Sequence, residues 1–497
     1  DITLGTVKID IKANDIGGLD LNSGKIEIAK TIVTGDVVFA TSGQALGGIA
    51  AAGKIYMPIT LKSGGVLKLL DDAGINAATA AAVEAVVVDN AVIDYVASKA
   101  AQDISVTANI KSASTIGTEL GLTANEGGAL AQAFAAVQGT SAEEDEFYNS
   151  FNAFGGRTAT SDTDLAAHIS PQLDASSGSS TATRAVTGSV QGIVSNRMAS
   201  LRSGDAYVTG MSAGNSLSAN SGFLQAFTSE VEQGNQKIGG ATVYGYDTET
   251  QGIAIGFDGM TDDGNTIGLS GSYSETDVDG LGIGKSKNDI ESYTVSVYAD
   301  KATDSGYLEG SLTFGLNSNT GSRKTNTNGL LRNYTSEYDS TQVSLKISAG
   351  SPNEVADGTF VTPFGSFSGS IIETDSYTEK SDTASDNLAL TINQDDLTSM
   401  VASAGIKVHK VTDMGTPMIS IAINEELGDS AINSTNKYAG GGTAFTTTSA
   451  IESTSATLGL GYSFGNDMTS LSIGYEGEAN DAEYMSHYGS VKLVSKF

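Results

Sequence analysis

Apolar residues recur at every second position along the last part of the chain. Ile253, Ile255 and Phe257 alternate with Gly252, Ala254, Gly256 and Asp258. Successive side chains of a strand point to opposite faces, so this spacing predicts a strand with one oily side. The same pattern sets Leu308, Leu312, Phe314 and Leu316 against Glu309, Ser311 and Thr313. It sets Ile419, Ile421 and Ile423 against Ser420 and Ala422, and Leu471, Ile473 and Tyr475 against Ser472, Gly474 and Glu476. Twelve such segments are predicted, near 222–231, 249–260, 265–277, 288–300, 305–319, 336–350, 358–374, 395–410, 415–427, 450–464, 467–478 and 484–497.

A tilted strand of about 9–11 residues spans a bilayer, and bacterial single-chain barrels use an even number of strands. The connections alternate between short turns, such as Thr261-Asp262-Asp263-Gly264 and Gly465-Asn466, and long polar stretches at 320–335, 376–393 and 428–449. Asp-Gly and Gly-Asn tolerate the positive φ of tight hairpins. The fold class expected is mainly all-β: a twelve-stranded transmembrane β-barrel over 222–497. A soluble sandwich or solenoid would also alternate, but a sandwich leaves two edges to protect and has no need of twelve strands this long.

Ahead of the barrel the period changes. Val186, Val190, Ile193, Val194, Met198 and Leu201 recur at three- and four-residue spacing, predicting a helix near 180–202 within a linker at 176–221. Its arginines, Arg184, Arg197 and Arg202, stand out in an acidic chain. A pore-lining helix bearing Arg184, Val190, Ile193, Arg197 and Arg202 would find lumen partners in Asp258, Glu309 and Glu476. A short external helix on the linker is the alternative. The Ser/Gly/Thr composition of 174–183 suggests a flexible lead-in.

Residues 1–112 carry short alternating runs, among them Val7-Lys8-Ile9-Asp10-Ile11 and Val66-Leu67-Lys68-Leu69, separated by Gly, Asn and Asp. They suggest the last rungs of a β-helix, or a small sandwich. The alanine-rich stretch from Ile75 is expected to start helical and turn to strand at Val86-Val87-Val88. Residues 113–175 suggest a small helical insert. Thr123-Ala124-Asn125-Glu126 and Ser141-Ala142-Glu143-Glu144 are capping boxes, and Ser170-Pro171 has the look of a helix start.

Composition narrows the function. The chain has 497 residues, a formal charge of -31, 60 glycines and no cysteine. Disulfides and thiolate metal sites are excluded, and a strongly negative chain is a poor nucleic-acid partner. No run of about 18 apolar residues marks a transmembrane helix. No basic-then-apolar leader follows Asp1, and an exported chain is expected to have lost one. His168, His409 and His487 lack zinc-site spacing, and no nucleophile elbow is present, so no enzyme, metal or cofactor is expected. Asp262-Asp263 and Glu143-Glu144-Asp145-Glu146 lack the ligand spacing of a calcium loop.

At this point the sequence resembles the translocator domain of monomeric autotransporters, proteins of type V secretion. Gly222-Phe223-Leu224-Gln225-Ala226-Phe227 resembles that domain's opening strand, with Phe223 where tryptophan is usual. Gly245-Tyr246-Asp247-Thr248, Gly271-Ser272-Tyr273-Ser274, Thr362-Pro363-Phe364 and Gly461-Tyr462-Ser463-Phe464 follow in collinear order. The resemblance implies an outer-membrane barrel that translocates and anchors its own amino-terminal passenger at the cell surface, acting as an adhesin or surface-structure element. A stub of a longer enzymatic passenger and a diffusion porin are the alternatives. It implies outer-membrane lipid, periplasmic chaperones and a barrel-assembly machinery as partners, with the surface ligand unknown. That machinery would read the last strand, with Val491, Leu493 and Phe497 on one face; Ser495 departs from the family's frequent aromatic. Some family members cut themselves in the pore helix at an Asn-Asn pair. Gly192 and Ile193 occupy the matching positions and supply no attacking carboxamide, so the passenger is expected to stay attached.

Overall fold

A computed structural model describes residues 7–11, 25–27, 37–41, 54–56, 64–71, 87–89, 91–100, 103–137, 146–147, 150, 165–169, 174–208, 221–238, 241–261, 265–303, 305–327, 329–384, 386–450, 454–466, 468–480 and 483–496. Twelve long strands alternate up and down. They are β9 (Ser221–Gln233), β10 (Tyr246–Met260), β11 (Asn265–Gly280), β12 (Lys287–Thr303), β13 (Gly306–Thr327), β14 (Leu330–Gly350), β15 (Thr359–Thr374), β16 (Leu397–Lys410), β17 (Thr416–Glu426), β18 (Thr454–Gly465), β19 (Thr469–Ala479) and β20 (Tyr484–Lys496). Each pairs antiparallel with the next. The ring closes where β20 pairs with β9, from Tyr484 opposite Gln233 to Lys496 opposite Ser221. Closure leaves no sheet edge for lipid to solvate, which is what lets strands cross a bilayer at all.

Side-chain direction follows the sequence alternation. Ile253, Ile255 and Phe257 are 47–56% exposed on the outer wall, while Ala254 and Asp258, on the opposite face, are buried within. The oily band stops sharply toward the loop end. On β11 the outward residues are Ile267, Leu269, Gly271 and Tyr273, then Glu275, Asp277 and Asp279. On β12 they are Ala299, Val297, Val295 and Tyr293, then Glu291 and Asp289. Tyr273 and Tyr293 meet at the border with ring centroids 5.0 Å apart. Amphipathic rings at that level are the girdle expected where hydrocarbon gives way to headgroups. Beyond it, carboxylates face each other across strands: Asp247 opposite Glu232 and Asp279, Glu249 opposite Glu230 and Asp277, Glu275 opposite Glu291.

Within the stretch 320–335, expected to be a loop, residues 320–327 and 330–335 are instead strand. β13 and β14 continue in register to Thr327 opposite Leu330. Outside the bilayer the outward face no longer needs to be apolar, so the alternation fades while the hydrogen-bond ladder continues. The other two long stretches supply a second sheet, made of Tyr377–Thr378, Leu390–Gln394, Ala431–Tyr438 and Gly441–Ala450.

The amino-terminal strands are β1 (Val7–Ile11), β2 (Lys25–Glu27), β3 (Val37–Thr41), β4 (Lys54–Tyr56), β5 (Val66–Asp71), β6 (Val87–Val88), β7 (Ile93–Ala100) and β8 (Asp103–Ile110). β1, β3 and β5 pair in parallel, as do β2, β4 and β6. β5 then pairs antiparallel with β8, which forms a hairpin with β7. Helices α1 (Ala113–Leu120) and α2 (Ala124–Ala136) follow. Thr123 and Glu126 make the capping box of α2: each side chain accepts from the other's backbone amide, at 3.1 and 2.9 Å. The box at Ser141, the start at Ser170-Pro171 and the alanine-rich run after Ile75 lie outside the described residues.

The lead-in expected to be flexible is helical. Helix α3 runs Asp174–Val208, longer at both ends than the predicted 180–202. Serine and glycine are weak helix formers in isolation. Here the lumen supplies partners: Asn288 Nδ2 donates to Ser179 Oγ and Gln394 Nε2 to Ser180 Oγ, both at 2.6 Å.

Glycine on the lumen face makes room for rings. A Cβ at Gly252 would enter the Phe227 ring, whereas one at Gly271 on the outer face would sit 3.5 Å from the nearest atom, the Thr294 oxygen. Gly252→Ala is therefore expected to cost about 1–3 kcal/mol, as overpacking does, and Gly271→Ala almost nothing. Urea midpoints of the detergent-folded variants, read by heat-modifiable gel mobility, check the contrast.

Candidate functional site: the helix in the lumen

At 1.5 Å per residue α3 is about 52 Å long, enough to thread the barrel from end to end. It leans against β10–β13, with fewer contacts to β15. Two apolar patches hold it. Near the loop end Ala182 packs with Val231, Tyr246, Val278 and Ile290. Near the turn end Ile193, Val194 and Met198 pack with Phe223, Phe227, Ala254, Tyr298 and Val494. Burying such side chains contributes roughly 25 cal/mol per Å² of apolar surface. A lumen read from sequence as polar therefore carries oily seats where the helix touches it. The signal for them was β9, which is apolar on both faces: Phe223 and Phe227 inward, Leu224 and Ala226 outward.

Among the described residues Arg197 is the most enclosed charge, at 0% exposure. Its Nε donates to Asp258 Oδ2 at 2.7 Å and its Nη2 to Oδ1 at 2.8 Å, a bidentate fork. Arg197 Nη2 also donates to Ser221 Oγ, and Ser221 donates on to Asp258 Oδ1, both at 2.5 Å. Tyr298 Oη donates to Asp258 Oδ2 at 3.0 Å. The Asp258 carboxylate so receives hydrogen bonds from the helix, β9 and β12 at once. The Phe223 ring closes one side, 6.0 Å from the guanidinium carbon.

Arg184 makes the second clamp. Its Nη1 donates to Glu426 Oε2 at 2.8 Å. Ser399 Oγ and the Met400 and Gly428 amides hold that carboxylate in place, at 2.6–2.9 Å. Asp258 is on β10 and Glu426 ends β17, across the ring. The two pairs therefore grip opposite walls, 13 residues apart along the helix, fixing its tilt, depth and rotation.

The remaining residues singled out from sequence fall as follows. Val190 and Ile193 are buried against the wall. Arg202 lies within α3, and its side chain is outside the described residues. Glu309 is buried on the lumen face of β13. Glu476 faces the lumen from β19, where Lys346 and Lys407 are its neighbouring cations rather than a helix arginine. Between the helix and that far wall a cavity of about 300 Å³ remains, lined by Asn196, Ser200, Lys407, His409 and Lys492 among others. Val491 and Leu493 point outward from β20, and Phe497 is outside the described residues. Glu426 was missed, because nothing local marks one acidic residue at a strand end as the partner of an arginine 242 positions away.

The histidines are not brought together. The His168 carbonyl accepts from Thr325 Oγ1, His409 stacks on Phe360 at 5.0 Å, and His487 meets Tyr475 on the outer wall. Among the described residues no group of three His, Asp or Glu side chains is placed to hold a metal.

The sequence model of the autotransporter β-domain matches residues 222–476. Solved structures of similar shape include the translocator domain of NalP from Neisseria meningitidis, at 17% identity and a TM-score of 0.46, covering 63% of this chain and 98% of that one. The transport unit of AIDA-I from Escherichia coli is similar at 11% identity and a TM-score of 0.42, covering 59% and 98%. The β-domain of BrkA from Bordetella is similar at 16% identity and a TM-score of 0.40, covering 56% and 100%. No curated protein matches by sequence. The family match takes in more than half of the chain, and the chain belongs to the autotransporter β-domain family, its carboxy-terminal part being the outer-membrane translocator barrel.

Proposed function

We propose that the barrel carries its own amino-terminal region across the outer membrane and holds it at the cell surface without cutting it off. One observation supports this most directly: the chain passes through the lumen. α3 runs between the loop end, where Arg184 sits, and the turn end, where β9 begins. In bacterial barrels the short turns are periplasmic and the long loops external. Everything ahead of Asp174 then lies outside the cell. The parallel pairing of β1–β3–β5 and β2–β4–β6 suits the stacked rungs of a β-helix passenger, acting as an adhesin or surface element rather than an enzyme. Outer-membrane lipid, periplasmic chaperones and the barrel-assembly machinery are the partners in this reading. A diffusion porin fits less well, because a clamped helix occupies the bore.

Protease shaving of intact cells is expected to remove epitopes ahead of α3 and spare the barrel. Before shaving, a denaturing gel is expected to show one unbroken polypeptide. Two bands from untreated cells would refute the uncut state, and epitopes that resist shaving would refute surface display.

A further inference from the structure

The region ahead of α3 does not simply hang from the helix. It shares a hydrophobic core with the loop end of the barrel. Tyr95, Ile116, Leu130, Phe134, Phe147 and Leu165 belong to one buried cluster with Leu330 and Tyr334 of β13–β14's outer reach. Leu390, Ile392, Tyr438 and Phe445 of the second sheet belong to it too. In this joined core Leu330, Tyr334 and Leu390 are at most 1% exposed.

Polar contacts cross the same boundary. Arg332 Nη1 donates to Glu146 Oε2 at 2.6 Å, and Tyr438 Oη donates to the Ile169 carbonyl at 2.8 Å. Thr325 Oγ1 donates to the His168 carbonyl at 3.2 Å, and the Thr443 amide to Gln132 Oε1 at 2.8 Å. On the barrel side the seat is stiffened from beneath. Arg323 forks onto Glu379 at 2.8 and 2.6 Å and stacks 4.0 Å over the Tyr334 ring, while Glu379 also accepts from the Leu390 amide.

We propose that this shared core is a non-covalent clasp between residues 92–169 and the barrel's loop end, sufficient to retain the exposed region after the chain between them is cut. The inference goes beyond display: the threaded helix explains covalent attachment, and the clasp is a second, independent attachment. An apolar core holds in high salt, because salt screens charges and leaves burial intact. A tether made of surface ion pairs would let go.

The test uses the full chain in detergent, with a specific protease site inserted between Gln172 and Leu173 and an affinity tag on the barrel. After cutting, the amino-terminal fragment is expected to stay with the tagged barrel at low and at high salt, and to separate only in denaturant. Loss of the fragment from the cut parent protein would overturn the clasp. Leu390→Asp, which places a charge in the core, is expected to release most of the fragment. Glu146→Lys leaves the barrel sequence untouched and sets a second cation beside Arg332. It is expected to raise the release rate roughly tenfold, a change worth about 1.4 kcal/mol. Retention unchanged in both variants would also overturn the clasp. Binding in detergent does not depend on which way the protein faces in a cell, so its failure is distinct from a failure of surface shaving.

Discussion

Asp258→Ala is expected to be the most damaging single substitution in the barrel. It leaves the Arg197 guanidinium fully enclosed and facing Ser221 Oγ with no counter-charge. Breaking one partner of a buried pair costs about 3–5 kcal/mol, because the stranded charge has lost water and gained nothing. The urea midpoint of the detergent-folded protein should fall accordingly. Replacing both partners by apolar residues, Arg197→Met with Asp258→Leu, should recover most of that loss, since no charge is then buried. Glu476→Gln is the control. It changes a lumen carboxylate that is exposed and away from the helix, so its midpoint should stay within about 0.5 kcal/mol of the parent's. If Asp258→Ala matched Glu476→Gln, the fork would not exist in solution.

Removing the helix is expected to have the largest effect on permeability. An α-helix with side chains is about 10–12 Å across, a large share of the bore of a small barrel. The intact chain should conduct weakly in planar bilayers, through the space lined by Lys407, His409 and Lys492. A barrel starting after Val208 should conduct roughly tenfold more, since the obstructing cylinder is gone. Releasing the clamps should give an intermediate result: with Arg184→Ala and Arg197→Ala together, the helix keeps its apolar seats but loses both walls' grip, and openings should become frequent and brief. Equal conductance with and without α3 would show that the helix does not occupy the lumen.

These two experiments address features that differ in how far the sequence revealed them. The outer wall was legible because hydrocarbon tolerates no polar side chain, so Ile253, Ile255 and Phe257 had to alternate with something else. Asp258 was legible as the one acid on that strand's inner face. What stayed hidden was everything that depends on a neighbour distant in sequence. Ser179 and Ser180 sit in a stretch whose composition suggests a linker, and they are helical because Asn288 and Gln394 meet them. Leu330, Tyr334 and Leu390 fall in stretches that read as polar loops, and they are core because a segment some 200 residues earlier folds onto them. In each case local propensity was overruled by packing that period and composition cannot encode.

The carboxylates above Tyr273 and Tyr293 have a consequence for where the molecule floats. Sinking by one residue pair along β10–β12 would drag Glu249, Gln251, Glu275 and Glu291 toward hydrocarbon around a contiguous arc of the wall. Rising by the same step would lift Ile253, Val295 and their neighbours into water. Both displacements are uphill, the first through charge and the second through oil. The barrel has a waterline drawn on it by its own side chains, and a protein that keeps its immersion so closely also holds at a constant height above the membrane whatever it carries.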